Sequence, residues 1–288
     1  MRKTILVRLL AVFAVAHFVN AQKKEFKEQI KKEIAFESND KQNTLILNNI
    51  FGFVKVEGYE GNQVQLVVDK KITANNSIDL ETGKKELIIK VLEKGNKIVI
   101  YPSAPFMKFD QDKFQYYCCN QEYEAPPYEH QTDFILKVPK NIKLDISTVN
   151  DGEVTVKNMR GDFIKANNVN GGISLINVTG QTKVHCINGK VEISYADNPR
   201  NASKYYSLNG DINVTYQNSL SADVSFKSMN GELFTDFDIE KQFNRTNKSS
   251  ENSKTKFKYE SKPVVQIGKG GIDYDFETLN GNVFIKKI

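Results

Sequence analysis

The chain has 288 residues, of which 40 are basic and 35 acidic, and 40% of its residues are hydrophobic. This composition is too polar for a multi-span membrane protein and too apolar for a wholly disordered chain. Three cysteines cannot form a disulfide framework, so the fold must rest on packing and hydrogen bonds. The formal net charge of +5 falls to +2 without residues 1–21. A near-neutral chain predicts no nucleic-acid partner.

Residues 1–21, MRKTILVRLLAVFAVAHFVNA, have the layout of a secretory signal peptide. A basic start is followed by an apolar stretch and by small or polar residues near Ala21. We therefore predict cleavage before Gln22 and an extracytoplasmic location: the periplasm, the cell surface or the medium. The alternative is an uncleaved anchor, although Arg8 and His17 interrupt the apolar stretch that a membrane span needs. After cleavage, the sequence predicts no transmembrane span.

The next part of the chain predicts a cap followed by short strands. Residues 22–43 are rich in Lys and Glu, and we expect a strand or a short helix there that covers the open end of the fold. Apolar residues then alternate with polar ones in several short runs, which is typical of half-buried strands. The predicted strands before residue 140 lie within Leu45–Val56 and at Val64–Val68, Leu87–Leu92, Ile98–Tyr101 and Phe134–Val138.

An Asn-Gly dipeptide recurs through the second half of the chain at intervals of 19, 18, 21, 21 and 50 residues, counted from an Asp-Gly variant. Apolar residues alternate with polar ones after each copy, so each dipeptide is expected to precede a short strand. We expect Asn-Gly to supply the positive φ angles of a tight turn. The predicted turns are Asp151-Gly152, Asn170-Gly171, Asn188-Gly189, Asn209-Gly210, Asn230-Gly231 and Asn280-Gly281.

The residues around these turns repeat as well. The segment LILNNIFGFVKV at 45–56 fits the same frame, with Phe51 in the place of Asn. The residue two before each Asn is always small or polar: Asn168, Cys186, Ser207, Ser228 and Thr278.

Two architectures use such a pattern: an antiparallel meander that forms a sandwich, and a β-solenoid whose coils stack. Only stacked coils require equivalent side chains to match from one unit to the next, since they lie above one another and Asn amides then form ladders. The sequence therefore favours an all-β, single-stranded β-solenoid over residues 44–288, with coils of about 20 residues and irregular N-terminal coils.

Two segments depart from the repeat. Residues 101–130 hold eight aromatic residues and four of the seven prolines, and we interpret them as an insertion that covers the flank of the solenoid or carries a binding loop. In the second case, a recognition surface is predicted at Tyr116, Tyr117, Tyr123 and Tyr128. Residues 239–262 are rich in Lys and predict a flexible, solvated insertion.

The chemistry-bearing residues are few. Cys118 and Cys119 are a vicinal pair that is compatible with a strained ring, a bridge to another chain or two free thiols. Cys186 fits the small-residue position of a coil and is expected to be buried. The spacing from the vicinal pair to His130 is not a recognised zinc pattern, and His185 is expected to point outward. The sequence therefore predicts no metal and no cofactor.

The stretch KVPKNIKLDISTVNDGEVTVKNMRGDFIKANNVNGGISLINVTG resembles the bacterial adhesin-like β-strand repeat family of unknown function, and is similar to the related auto-transporter adhesin head domain with its Gly-Ile-Asn motif. The resemblance covers roughly residues 44–288 and implies a β-solenoid exposed at a bacterial envelope. It brings no catalytic or ligand-binding residues. The chain departs from the family pattern at Phe51 and in the two insertions.

These observations favour a non-catalytic adhesin or a module that binds a surface glycan, another polymer or a protein. The first alternative is a structural or stress-related periplasmic protein that binds nothing specific. The second is a polysaccharide-active enzyme of the β-helix type, which would need paired carboxylates in a groove. The aspartates near turns do not recur in pairs at one stacked position beside a base: Asp145, Asp151, Asp162, Asp211 and Asp223.

Overall fold

The computed structural model describes residues 23–38, 40–117, 125–250 and 257–288. The predicted signal peptide and its cleavage site before Gln22 lie outside these ranges. The described residues are almost entirely β, with one helix, α1 (Ser77–Glu86). In these ranges no helix has the length and apolar character needed to cross a membrane. Asn76 caps α1, because its side chain accepts a hydrogen bond from the Asp79 backbone N–H.

The described strands, in chain order, are β1 (Lys24–Ala35), β2 (Thr44–Asn48), β3 (Val54–Tyr59), β4 (Gln63–Ala74), β5 (Ile88–Lys94), β6 (Lys97–Ser103), β7 (Phe109–Asp110), β8 (Gln115–Tyr116), β9 (Tyr128–Pro139), β10 (Lys143–Thr148), β11 (Val154–Lys157), β12 (Phe163–Asn170), β13 (Ile173–Val178), β14 (Gln181–Asn188), β15 (Val191–Tyr195), β16 (Ser203–Asn209), β17 (Ile212–Tyr216), β18 (Ala222–Lys227), β19 (Leu233–Thr235), β20 (Ile239–Ser250), β21 (Phe257–Ile267), β22 (Asp273–Asn280) and β23 (Val283–Lys287).

Two large sheets form the body of the protein. The ten-stranded sheet has the order β1-β4-β9-β3-β11-β13-β15-β17-β23-β19, and the eleven-stranded sheet has the order β20-β21-β18-β22-β16-β14-β12-β10-β2-β6-β5. Their central strands are parallel. Each successive pair, such as β12 with β13, gives one strand to each sheet, and we call such a pair a coil. The prediction of an all-β, solenoid-like fold is confirmed, and the alternative of an antiparallel meander is wrong.

The core lies between the two sheets, where alternate side chains from both sheets meet in one continuous cluster. Val154, Val156, Leu175 and Ile193 are examples, and none of them is more than 3% exposed. Burying a side chain of this size contributes about 1.5–3 kcal/mol. One coil has only two or three such residues per strand, so the stack as a whole buries the apolar surface that a single coil cannot.

Large aromatic rings fill the core toward the C-terminal end and stack along the solenoid axis. Tyr216 lies between Tyr195 and Tyr274, with ring centroids 5.1 and 5.3 Å apart. The hydroxyl of Tyr205 is 2.7 Å from that of Tyr195 and accepts a hydrogen bond from Tyr216. Burial raises the pKa of Tyr205 well above its ordinary value, so these hydroxyls stay neutral and satisfy one another.

The Asn residues of the repeat form a ladder of side-chain amides on the surface. The Nδ2 of Asn188 donates to the Oδ1 of Asn170 at 2.9 Å, and Asn209 donates to Asn188 at the same distance. The ladder begins with Asn150, which accepts from Asn170, so Asn150 holds the position that the sequence analysis gave to Asp151. Asp151 follows it with φ +59°. The bridge from Asn150 to Phe51 confirms that Phe51 takes the Asn position in its coil.

The glycines of the repeat let the backbone of one coil come close to the backbone of the next coil. At Gly210 a Cβ atom would lie 2.2 Å from the carbonyl oxygen of Gly189, and the backbone there has φ +152°. Asn209 itself is extended and ends a strand. The positive φ expected from the Asn-Gly pair is therefore found at the glycine in three copies, Gly171, Gly210 and Gly281, and at Asp151 of the variant, but not at the Asn residues.

In most copies the small or polar side chain two residues before Asn contacts carbonyl groups at this corner, as Asn168, Cys186, Ser207 and Thr278 do. Asn168 donates to the backbone oxygens of Gly152 and Gly172, both at 3.0 Å. The buried thiol of Cys186 lies 3.3 Å from the Gly171 oxygen and has no disulfide partner among the described residues. Burial raises its pKa to about 11. These donors satisfy backbone groups that the glycine corner buries.

The coils do not stack in chain order at either end. The final coil, β22 and β23, lies between the coil of β16 and β17 and the coil of β18 and β19. The ladder therefore runs from Asn209 to Asn280 and then to Asn230. At the other end, β2 and β3 lie between β6 and β9 on one side and β10 and β11 on the other. The chain order expected from the repeat is wrong at these places.

The ends of the sheets are covered mainly by antiparallel strands. β1 pairs with β4 at one edge of the ten-stranded sheet, in the region predicted as a cap. β20 and β21 pair with each other at the edge of the eleven-stranded sheet. The described parts of residues 239–262 are thus a paired hairpin and not the predicted flexible loop. Similarly, β6 and β9 extend into residues 101–130 from its two ends. The segment outside the two large sheets is therefore shorter than the predicted insertion.

Replacing Asn188 by Ala should remove two amide hydrogen bonds from the ladder at once. Because each such bond contributes about 0.5–1.5 kcal/mol, we expect the free energy of unfolding to fall by about 1–2 kcal/mol. Asn213→Ala is the matched control, since Asn213 lies on an outer face and no side-chain hydrogen bond joins it to a described residue. Urea denaturation measures both variants. Equal stability of N188A and N213A would show that the ladder contributes nothing.

Candidate binding face

The four tyrosines predicted as a recognition surface do not come together among the described residues. Tyr117 is 54% exposed, and its hydroxyl donates to Asp110 at 2.9 Å. Tyr128 is only 4% exposed and donates to Glu86. Tyr123, like Cys118 and Cys119, lies outside the described residues.

Tyr116 is half-buried in a separate aromatic cluster. Its ring packs edge-on against Phe109 and Tyr101, and its hydroxyl donates to the backbone oxygen of Pro102. Burial raises the pKa of Tyr116 above its ordinary value. Phe109, Phe114 and Tyr116 therefore cover the flank of the eleven-stranded sheet, and of the three described tyrosines of the predicted surface only Tyr117 has an exposed side chain.

His130 lies beside a pocket of about 390 Å³ at the N-terminal part of the ten-stranded sheet. Its ring contacts Phe51 edge-on, with centroids 5.1 Å apart. Its Nε2 atom is buried and has no hydrogen-bond partner within the described residues. Burial lowers the pKa of His130 to about 4. The ring is therefore neutral at pH 7 and acts as a packing group.

A more extended feature lies on the outer face of the eleven-stranded sheet. Lys165, Lys183 and Lys204 occupy the same position in three successive coils, with their Cα atoms in register. We call them the lysine stripe. Neighbouring strands are about 4.8 Å apart, so the stripe places three ammonium groups along about 10 Å of the solenoid axis. Asp145 precedes the stripe in register and Asp275 follows it.

Both acidic neighbours are in ion pairs, Asp145 with the first lysine of the stripe and Asp275 with a lysine of another strand. Asp145 lies 3.0 Å from the Nζ of Lys165. Asp275 lies 3.0 Å from the Nζ of Lys262, which reaches over from β21. Lys183 and Lys204 are exposed, and within the described residues neither has a carboxylate within 4.0 Å. Two cations thus stand side by side with no carboxylate of a described residue in contact, and the Nζ of Lys183 also lies 5.6 Å from the centroid of the Phe163 ring.

A second row of polar side chains runs beside the stripe. Asn167, His185 and Tyr206 are in register on the same three strands, followed by Glu277. The rings of His185 and Tyr206 stack on each other with centroids 4.4 Å apart and an interplanar angle of 14°. Partial burial lowers the pKa of His185, which points outward as predicted. A shallow groove of about 400 Å³ lies between the two rows.

The hairpin of β20 and β21 closes the C-terminal end of this face. Arg245 on β20 forms ion pairs with Asp273 at 2.6 Å and with Asp223 at 3.3 Å. A second groove of about 210 Å³ lies between the hairpin and the sheet, and Lys204 lines both grooves. Arg245 and Lys262 of the hairpin are thus engaged with acids of the sheet, whereas no carboxylate of a described residue lies within 4.0 Å of Lys183 or Lys204.

Most of the aspartates considered for catalysis have structural partners. Asp145 and Asp223 are in ion pairs with Lys165 and Arg245. Asp211 accepts a hydrogen bond from the Asn282 backbone at 2.8 Å. Over the part of the chain that the structure describes, no three His, Cys, Asp or Glu side chains are grouped so that they could hold a metal ion.

The lysine stripe was missed in the sequence analysis, although a signal for it exists. Each of its residues lies five positions before an Asn of the repeat, so the same frame that predicts the coils also aligns the three lysines. In the final coil this position is held by Asp275, five residues before Asn280. Since the final coil lies next to the coil of Lys204, the stripe ends at Lys204.

The geometry defines a mostly parallel, two-sheet solenoid with exposed rows of matched side chains. A family model described as Toastrack DUF4097 matches residues 131–273, just under half of the chain. The matched stretch begins in β9 and contains the whole lysine stripe. No curated protein sequence matches the chain.

Three solved structures are similar over most of their length, at low identity. They are a "putative cell adhesion protein" from Clostridium sporogenes ATCC 15579 (14% identity, 93% of this chain and 100% of that chain, TM-score 0.37), a "putative adhesin" from Bacteroides fragilis NCTC 9343 (13%, 91% and 97%, TM-score 0.30) and a "putative lipid binding protein" from Parabacteroides distasonis ATCC 8503 (11%, 91% and 96%, TM-score 0.33). Scores at this level do not establish a shared fold or a shared ligand.

His130 should make the stability of the protein depend on pH. Its pKa is about 4 in the folded state and about 6.5 when unfolded, so the unfolded state binds more protons between these values. The free energy of unfolding should therefore decrease as the pH falls from 6.5 to 4. The His130→Gln variant should lose this pH-dependent part of the free energy of unfolding. It retains the other charged groups beside the pocket, which are Lys71, Glu129 and Asp151. Denaturant titrations at several pH values measure the free energy of unfolding of both proteins. If it depends on pH equally in the wild type and in H130Q, the prediction is wrong.

Proposed function

We propose that the chain is a non-catalytic, extracytoplasmic binding module of the adhesin-like type, which attaches to a polymer or protein at a cell surface. The observation that carries this proposal is the face of the eleven-stranded sheet, where polar and cationic side chains repeat in register over three coils and two of the three lysines, Lys183 and Lys204, have no carboxylate of a described residue within 4.0 Å. A rigid scaffold that presents such rows favours binding through many modest contacts over an extended ligand.

The distribution of polar groups supports binding over catalysis. The aspartates near the stripe are held in ion pairs, and His130 is a neutral packing group away from the stripe. The grooves on the face are open and shallow, whereas a catalytic site usually gathers its reacting groups in an enclosed pocket. Residues 1–21 support export, because they have the layout of a secretory signal.

A structural envelope protein that binds nothing specific is the competing function. It would use the same stack for rigidity, and it would need no unpaired cations on one face. Elsewhere on this sheet a lysine stands opposite an acid on the next strand, as Lys227 does opposite Glu277. The fold therefore also accommodates neighbouring side chains whose charges cancel. The unpaired Lys183 and Lys204 therefore favour the binding function.

Purified protein comprising residues 22–288 should bind a defined set of ligands on an array of bacterial and host surface polysaccharides, and it should bind intact cells that display them. Binding should saturate, and heat-denatured protein should not bind. In cells that express the full chain, a membrane-impermeant label should modify the protein. A folded protein that binds no glycan and no cell surface, and that the label does not reach, would support the structural alternative.

A further inference from the structure

The lysine stripe and the row beside it define the chemistry of one ligand class. We propose that this face binds an extended, carboxylated polysaccharide that lies along the solenoid axis over β12, β14 and β16. This inference rests on the proposed binding function and assigns it a site and a ligand class. The site consists of Lys165, Lys183 and Lys204 together with Asn167, His185 and Tyr206, which face outward from the same strands.

The first argument is the charge arrangement. Like charges directly opposite each other on neighbouring strands destabilise a sheet. Lys183 and Lys204 are such a pair, since they are in register and no carboxylate of a described residue lies within 4.0 Å of either; Asp275, in register with Lys204 on the next strand, is paired with Lys262. A row of anionic groups bound along the stripe would relieve the repulsion between the two lysines.

The second argument is the polar row. Within the described residues, the side chains of Asn167, His185 and Tyr206 form no hydrogen bonds to protein groups. The surface ladder differs in this respect, because the amides of Asn170 and Asn188 bond each other. The polar row therefore keeps amide, imidazole and phenol groups available for sugar hydroxyls, next to cations that bind carboxylates.

The third argument is geometry. Both rows run parallel to the solenoid axis and repeat at every strand, about 4.8 Å apart. A linear polymer with one carboxylate in each sugar unit presents its charges in the same repeating manner. The groove between the rows is open along the axis, and Lys204 connects it to the second groove beneath the hairpin. An extended chain fits this shape better than a compact ligand.

The same observations disfavour two other anionic ligands. Single-stranded nucleic acids bind by stacking bases on exposed aromatic faces, whereas His185 and Tyr206 use their facing ring surfaces on each other. Membrane surfaces are bound through protruding apolar side chains together with cations, and the two rows consist of polar and cationic side chains. Nucleic acid and lipid are therefore outcomes that the experiment must separate from polysaccharide.

The test is a fluorescence-polarisation titration of residues 22–288 with labelled oligogalacturonate at low salt. Wild-type protein should bind it, and the affinity should fall as salt is added, because the contacts are ionic. Fully methyl-esterified oligogalacturonate has the same sugar chain without the charges and should bind at least about tenfold more weakly. An oligo-dT strand and vesicles of phosphatidylserine and phosphatidylcholine should also bind more weakly.

The decisive variant is K183Q/K204Q, which removes both unpaired cations. Its affinity for oligogalacturonate should fall about tenfold or more, and its salt dependence should become weaker. K31Q/K32Q is the matched control, because it removes the same charge from exposed lysines of β1 and should bind like the wild type. Unchanged thermal unfolding of both variants would show that the fold is intact, and K183R/K204R should retain binding.

Each other result overturns the inference. Equal losses in K183Q/K204Q and K31Q/K32Q would show a net-charge effect without a site. Equal or tighter binding of oligo-dT or vesicles would show that the ligand class is wrong. If the protein binds other glycans on the array and K183Q/K204Q binds them equally well, the stripe is not the site, yet the proposed binding function stands. If no glycan or cell surface is bound at all, both proposals fail.

Discussion

Backbone hydrogen bonds between parallel strands hold each coil in register with the next, and this contact places almost every other group in the molecule. Because the spacing is about 4.8 Å, identical residues in successive coils come within contact of each other. Inside, this register stacks apolar side chains and the rings of Tyr195, Tyr216 and Tyr274. At the corner it aligns the amides of Asn170 and Asn188. Outside, it aligns the lysine stripe.

The corner between the two sheets explains why Asn and Gly occur together. Asn remains extended and bonds the coil beside it, while the following Gly lets the backbone approach the neighbouring coil. At Gly210 a Cβ atom would overlap the carbonyl group of Gly189. The inward donor two residues earlier, such as Asn168, then satisfies the carbonyl groups that this approach buries. Sequence reasoning found all three positions and gave the wrong reason for the Asn-Gly pair, since it applied the chemistry of hairpin turns.

Local patterns predicted the coils, including the variant at Phe51, but they could not predict the order in which the coils stack. The coils of Asn230 and Asn280 fit the same frame, so either one matches the coil of Asn209. The hairpin of β20 and β21 lies between them in the chain, and its polar composition was interpreted as a loop although its two consecutive strands pair with each other. The long-range pairing of β18 with β21 is therefore decided by tertiary contacts.

The candidate face follows from the same register. Lys183 and Lys204 are ordinary as single surface lysines, and the proposed site rests on their standing next to each other with no carboxylate of a described residue within 4.0 Å. The tyrosines chosen from composition, in contrast, were selected for their chemistry alone. Burial of Tyr128 and partial burial of Tyr116 show that aromatic residues near a solenoid flank are used in packing. The position of a residue within the repeat therefore indicates whether its side chain is exposed better than its residue type does.

Disulfide cross-linking tests the register and the order of the coils most directly. In a background with Cys118, Cys119 and Cys186 replaced by Ser, the pair N209C/N280C places two thiols on adjacent strands, within the Cα separation of about 4.4–6.8 Å that a disulfide requires. The pair N209C/N230C lies two strands apart, at about 10 Å. Oxidation followed by peptide mass spectrometry should find the first cross-link and not the second. A cross-link between positions 209 and 230, with none between 209 and 280, would contradict the account.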